Sequence, residues 1–384
     1  MRVTEGTGAF RDTFEGSVTA AVIARGSVRH AGLGLPVVSP DGRFIAALEH
    51  AGGPASLDAD APLLGRGLGG VSLWVRAVEA EADRPAAPGG GGIDAAAVPV
   101  ALQDASFPTF GPDGRLWSVS VGPGGDALLR YDPVDGSLRR LATGLKRIAF
   151  PSPDPTGRYV AVSGFGGNPE AATLFLVDVP AGRATPGPPP GSGGRGQVLP
   201  RWEAPGVVLF VELREGPDGA PSPAALRRWR VGESSAADVA SLPVLPSVFD
   251  AGSLYAGVAD PIGPGGRYLV FFDPAAEPPG LRRVDLATGG VEPVAAGGTA
   301  AASWDADRLV VAVQPASENR GLAKEAGLRL LELAPGNRGS VTLLPGDWAP
   351  LRVEPRAGGG AAILAVAPGE RPDRLKLVQL FVVP

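Results

Sequence analysis

The chain has no cysteine, which excludes disulfides, thiolate metal sites and a cysteine nucleophile. It has two histidines, His30 and His50, so imidazole bases are scarce. No G-x-S-x-G occurs, and no α/β-hydrolase pattern follows the last apolar run to Pro384, so the serine-hydrolase constellation is missing. Lysine is confined to Lys146, Lys324 and Lys376, and the formal net charge is -5. That balance offers no basic stripe for nucleic acid or an anionic membrane. No apolar run approaches the length of a membrane span. The first thirty residues lack a basic start, an apolar stretch and a cleavage site. The expectation is therefore a cytoplasmic chain as given, or a periplasmic or exported one if a leader has been removed.

Glycine and proline are abundant instead. Gly 57 and Pro 41 make up about a quarter of the chain, near the level of disordered sequences. Here they punctuate apolar runs at intervals, which is the pattern of turns between strands. The stretch "PVVSPDGRFIAALE" (Pro36 to Glu49) returns as "PTFGPDGRLWSVS" at 108, "PSPDPTGRYVAVS" at 151, "PRWEAPGVVLFVE" at 200 and "DPIGPGGRYLVFF" at 260. A proline lies six residues before the turn glycine at Pro36/Gly42, Pro108/Gly114, Pro151/Gly157 and Pro200/Gly206. Two further copies are degenerate, around Trp304 and from Leu351. Each copy is followed by a second strand with its own turn, such as "TLFLVDVPAG" or "GLRRVDLATGG". Helical patterning is nearly absent.

Such units predict strand, Pro-Asp-Gly turn, strand, loop, strand, turn and a short fourth strand. A four-stranded sheet with two apolar faces cannot bury either alone, so radial stacking of the units is expected. The repeats resemble those of the TolB family, which are WD-repeat-like and form β-propellers; similar repeats occur in prolyl oligopeptidase relatives and in lactonases. The resemblance covers Pro36 to Pro384 and implies an all-β, seven-bladed β-propeller in a single domain, with six or eight blades also compatible. The last blade lacks an outer strand at Pro384. Residues 17–25, "SVTAAVIAR", are expected to supply it and close the ring. Residues 84–92 and 185–196, rich in glycine and proline, are expected as flexible loop insertions.

Candidate chemistry is sparse. Gly65 to Gly70 matches G-x-G-x-x-G, but a strand follows rather than a helix, so it reads as a loop. Asp58 and Asp60 lack the rest of a calcium loop. His30, Glu49 and His50 fall at one end of the first blade and form the one candidate divalent-metal set. No catalytic or cofactor-binding residue is assigned. Trp202 and Trp304 share a repeat position with Val38, Phe110, Ile262 and Val353 and read as packing between blades. Trp348, in "PGDWAP", is the candidate rim contact. The arginine pairs Arg139/Arg140, Arg227/Arg228 and Arg282/Arg283 read as exposed strand positions that discourage edge pairing. The expected function is a non-enzymatic, monomeric scaffold that binds a protein or peptide partner through rim loops and the channel mouth. The alternative is a metal-dependent hydrolase or lactonase acting at that mouth.

Overall fold

The computed structural model describes residues 18–29, 32–50, 71–77, 79–80, 100–103, 105–120, 126–165, 172–245, 252–255, 258–263, 265–277, 279–305, 307–313, 326–333, 339–356, 360–368 and 374–383. They form seven antiparallel sheets. Sheet 1 runs through Gly32–Val38, Phe44–His50, Val71–Ala77 and Val100–Gln103. Sheet 2 holds Ala105–Phe110, Leu116–Ser120, Ala127–Tyr131 and Leu138–Leu141. Sheet 3 holds Lys146–Pro153, Tyr159–Phe165, Thr173–Asp178 and Arg183–Pro186. Gly194–Ala204, Val207–Glu215, Pro221–Arg230 and Ala237–Val244 make sheet 4. Tyr268–Asp273, Gly280–Asp285 and Val291–Ala296 make sheet 5. Sheet 6 is Gly298–Ser303, Arg308–Val313, Gly327–Glu332 and Ser340–Pro345.

Sheet 7 is built from both ends of the described chain. Ala349–Pro355, Ala361–Pro368 and Arg374–Val383 are its first three strands. Its next strand is Thr19–Arg29, paired antiparallel with Arg374–Val383 from Thr19↔Val383 to Arg29↔Arg374. The expected closing strand is therefore present and extends past Arg25. Glu79–Ala80 adds a short outer pairing to it.

Apolar clusters join every neighbouring pair of sheets. Ala46 and Leu73 meet Leu116 and Leu129 between sheets 1 and 2, and Trp117 and Leu128 meet Val160 and Val177 between 2 and 3. Leu174 and Leu176 meet Phe210 and Trp229 between 3 and 4, and Leu209 and Leu226 meet Phe271 and Val284 between 4 and 5. Leu281 meets Val311 between 5 and 6, Trp304 and Leu330 meet Ile363 and Leu380 between 6 and 7, and Leu377 and Leu351 meet Ile45 between 7 and 1. The seam between the last sheet and the first closes the ring.

The repeat glycine does what a tight turn requires. Gly42, Gly114 and Gly157 lie at φ 72, 76 and 73, a region that costs a residue with a Cβ. A Cβ at Gly114 would meet nothing within 4 Å, so a substitution there acts through the backbone alone. Gly114→Val is expected to lower unfolding free energy by about 1–3 kcal/mol, and Gly114→Asn by less, because Asn tolerates that region. Urea titration of the two variants checks this. Equal stability of both with the parent would mean that the turn does not need its glycine.

The repeat proline has a role that spacing alone does not disclose. In sheets 1 to 4 the inner-strand ladder slips across it: at Leu33/Val37, Ser106/Thr109, Ala149/Ser152 and Val198/Arg201. Proline has no N–H to give the ladder and is accommodated at bulges. The residue before it avoids the right-handed helical region. Phe107, Phe150 and Leu199 sit instead at φ 52, 53 and 54, a left-handed conformation imposed by the bulge rather than by the proline, and these bulges re-aim the side chains.

Three expectations change. Residues 185–196 are partly taken up by the blades: Arg183–Pro186 ends sheet 3 and Gly194–Ala204 starts sheet 4. The short connection is tied down, with Gly187 N donating to Leu174 O at 2.7 Å and Gly191 N to a Glu212 carboxylate oxygen at 2.9 Å. Residues 84–92 lie outside the described residues. The irregular inner edge belongs to sheet 5, not to the degenerate repeats at Trp304 and Leu351. There the intact turn is preceded by Pro261, and the inner strand shrinks to the bridge Ile262↔Leu269. The segment leans toward sheet 6 instead, with Val258 bridging Ala301.

The third change concerns arginine. Arg139 and Arg140 are exposed as expected, but Arg227 and Arg283 are buried. Arg227 pairs with Glu212 at 2.9 Å. Arg228 and Arg283 donate to Leu286 O at 2.9 Å and Leu333 O at 3.0 Å, each on the following sheet. They latch neighbouring sheets together rather than guarding an edge.

Candidate functional site at the ring centre

The inner strands of all seven sheets surround one cavity of about 720 Å³, within the range of sites that hold small ligands or short peptide segments. Its walls are largely proline and aromatic: Pro36, Pro108, Pro151, Pro261 and Pro350 alternate round the ring with Phe107, Phe110, Phe150 and Trp202. Phe107 and Phe150 meet edge to face, with centroids 4.9 Å apart. Trp202 is fixed by its indole N–H, which donates to Ser152 O at 2.8 Å across the seam of sheets 3 and 4. The bulges at the repeat prolines thus deliver both phenylalanines to the lumen.

Four ionisable groups stand in the described lining. Arg201 projects from sheet 4 and Arg352 from sheet 7; each immediately precedes the shared repeat position, Trp202 or Val353. The Arg201 guanidinium lies 5.3 Å from the centroid of the Tyr255 ring and donates to Pro200 O at 2.9 Å. Burial lowers its pKa, and among the described residues no carboxylate is within ion-pair distance. Arg352 donates to Ser39 O at 3.2 Å across the closing seam; its Nε is buried without an acceptor among the described residues. Tyr255, at the end of the 3₁₀ turn Gly252–Tyr255, has a buried hydroxyl in the same condition. Burial pushes its pKa up to about 12, against the opposing charge of Arg201.

Asp260 is the carboxylate of the described lining. Asp260 is exposed to the cavity, and the protein atoms crowded round it raise its pKa to about 6, although Arg201, the Ile262 backbone N–H and Arg352 all favour the charged form. It therefore lies in the field of two arginines that reach it from different sheets.

The residues singled out from sequence fall elsewhere. His30 and the side chains of Glu49 and His50 lie outside the described residues; the backbone pairing Gly32↔Glu49 places that end of sheet 1 together. Among the described residues no group of three His, Cys, Asp or Glu side chains lies together. Trp348 is half-buried against the apolar cluster between sheets 6 and 7 and does not line the cavity. Trp304 is 1% exposed in that cluster, whereas Trp202 packs between sheets and also faces the lumen. Ser303 pairs with Leu309 as Phe110 pairs with Leu116, so Ser303 takes the lumen position in sheet 6.

Solved structures share the architecture. The β-propeller domain of the Trilobed protease from Pyrococcus furiosus is similar with 12% identity and a TM-score of 0.50, over 88% of this chain and 92% of that one. An acylaminoacyl peptidase is similar with 12% identity and a TM-score of 0.51, over 91% of this chain and 51% of that one. The fold is a β-propeller. TolB from Acinetobacter baumannii is also similar, with 13% identity and a TM-score of 0.44, over 80% of this chain and 64% of that one. The match thus spans less than two thirds of TolB and about half of the peptidase. No family model and no curated protein matches the sequence. The Pyrococcus propeller is said to have an open velcro topology; in the present propeller Thr19–Arg29 pairs with the last blade. No described helix is long and apolar enough to cross a membrane.

Proposed function

We propose that this β-propeller is a non-catalytic scaffold that binds a peptide segment of a protein partner at the mouth of its central cavity. The observation that carries the reading is the composition of that cavity. Rigid proline and aromatic walls from the inner strands surround two guanidinium groups, Arg201 and Arg352, whose described hydrogen bonds go to backbone oxygens and not to a carboxylate. Aromatic and proline surfaces suit apolar side chains, and desolvated donors suit the carbonyls and carboxylates of a peptide. A hydrolase acting here would need paired acid and base groups or a set of metal donors; the described lining supplies Asp260 alone among carboxylates.

Peptides selected from a displayed random library on the parent protein test the reading. Binding is expected to be lost on Thr109→Trp combined with Ala259→Trp, which narrow the lumen from blade 2 and from the inner segment of blade 5, provided the variant melts with the parent. Undiminished binding to that variant would place the peptide site on the outside of the ring and refute the proposal.

A further inference from the structure

Arg201 and Arg352 come from blades 4 and 7, three apart on a ring of seven, so they face the lumen from nearly opposite sides. Asp260, carried by the irregular inner segment of blade 5, feels the charge of both. No residue of blades 1, 2, 3 or 6 in the described lining is ionisable. Tyr255 is the remaining titratable group, and it stays neutral and a donor. The described lining therefore holds two positive charges and one negative, an excess of one. That excess matches a monoanion such as a carboxylate better than a phosphate dianion. Two buried donors that lack an acceptor, Arg352 Nε and Tyr255 OH, add to the demand for an acceptor here.

Resting on the peptide-binding reading above, we propose that Arg201 and Arg352 form a carboxylate-recognition pair, and that Asp260, which shares their field without a direct ion pair to either, competes through its charge with an incoming peptide carboxylate. Planar guanidinium groups bind carboxylates through charge-assisted hydrogen bonds. The apolar walls lower the local dielectric and strengthen that contact. The site is also sensitive to protons. Asp260 becomes neutral as pH falls through about 6, and the arginines are then free of their competitor while a peptide carboxylate remains ionised. Binding of a carboxylate therefore strengthens on mild acidification.

The test is calorimetric titration with four probes: N-acetyl-Pro-Phe with a free carboxylate, its C-terminal amide, N-acetyl-Glu-Pro-Phe amide, and inorganic phosphate. One or both carboxylate peptides should bind about tenfold or more tightly than the neutral amide, and the stronger of the two identifies a terminal or side-chain source. Arg201→Gln and Arg352→Gln should each remove most of that preference. Asp260→Asn should raise carboxylate affinity at about pH 7.5 and abolish the rise that the parent shows toward about pH 5.5. Asp260→Asn carries the test by itself if an arginine variant does not fold. Equal binding of acid and amide would overturn the pair while leaving peptide binding intact. Tighter binding of phosphate than of either carboxylate would overturn it as well. If no peptide binds at about 10 mM, both this pair and the peptide reading fail.

Discussion

Deleting residues 1–29 should destabilise the protein and make it oligomerise, because it removes the outer strand that closes the last blade. Thr19–Arg29 is hydrogen-bonded along nearly its whole length to Arg374–Val383. Val18 and Ala20 are 7% and 3% exposed and belong to the cluster that holds Trp304, Val378 and Leu380. Burial of a valine side chain alone is worth about 1.5–3 kcal/mol, before the lost ladder is counted. The uncovered strand carries "LVQLFVV", an apolar edge of the kind that pairs with other chains. The expected result is a lower melting temperature together with species larger than the parent on light scattering. Val22→Pro, which sets a residue without an N–H and with a fixed φ opposite Leu380, should move both readouts in the same direction by less. A truncated protein that melts and scatters like the parent would mean that the ring is held without this strand.

Replacing Arg227 with leucine is expected to be the most damaging single substitution, at about 3–5 kcal/mol. Glu212 has a side-chain exposure of 0%. Arg227 Nη1 donates to its Oε2 at 2.9 Å, Nη2 donates to Ala236 O, and Nε lies 3.0 Å from Asp238. Gly191 N donates to the same Glu212 oxygen, which ties the network to the connection from blade 3. Arg214, 3.7 Å from Glu212 Oε1, is too far to replace the lost hydrogen bond. Leucine would leave a buried carboxylate without its main partner. Glu212→Leu on the Arg227→Leu background should recover part of the loss, because the stranded charge is then gone. Urea unfolding of the single and double variants measures this. A double variant less stable than Arg227→Leu would show that the carboxylate is satisfied without the arginine.

What was legible in the sequence was local or periodic. The Pro-Asp-Gly turns, and Pro-Thr-Gly in the third repeat, state a backbone requirement, and Gly42, Gly114 and Gly157 meet it. The closing strand followed from counting strands in the last repeat. Burial of Arg227 and Arg283 was not legible, because a charged residue on a strand reads as solvent-facing until its partner is known. Glu212 lies 15 residues from Arg227, across a hairpin whose register sequence spacing does not fix. The order in residues 185–196 was hidden for a related reason: glycine and proline signal turns and loose loops alike, and the anchors are Leu174 and Glu212, in other strands.

The lumen site was hidden most completely. Arg201, Asp260 and Arg352 are far apart in the chain and meet only because the inner strands of a closed ring face one another. One signal was present: Arg201 and Arg352 each stand one residue before the aligned Trp202 and Val353, so reading that repeat column as lumen-facing would have brought them together. Nothing comparable marks Asp260, whose segment departs from the repeat. The bulge at the repeat proline was also unread, because proline's missing N–H within a strand points equally to an edge strand or to a bulge.

Hydrogen–deuterium exchange with and without a library-selected peptide tests most directly whether the central cavity is the binding site. Slowed exchange is expected at the inner segments around residues 107–111, 149–152, 199–202, 258–262 and 349–353, which surround the lumen. The outer strands Leu138–Leu141 and Arg183–Pro186 should exchange as before. Protection confined to the outer strands, with the inner segments unchanged, would contradict the account.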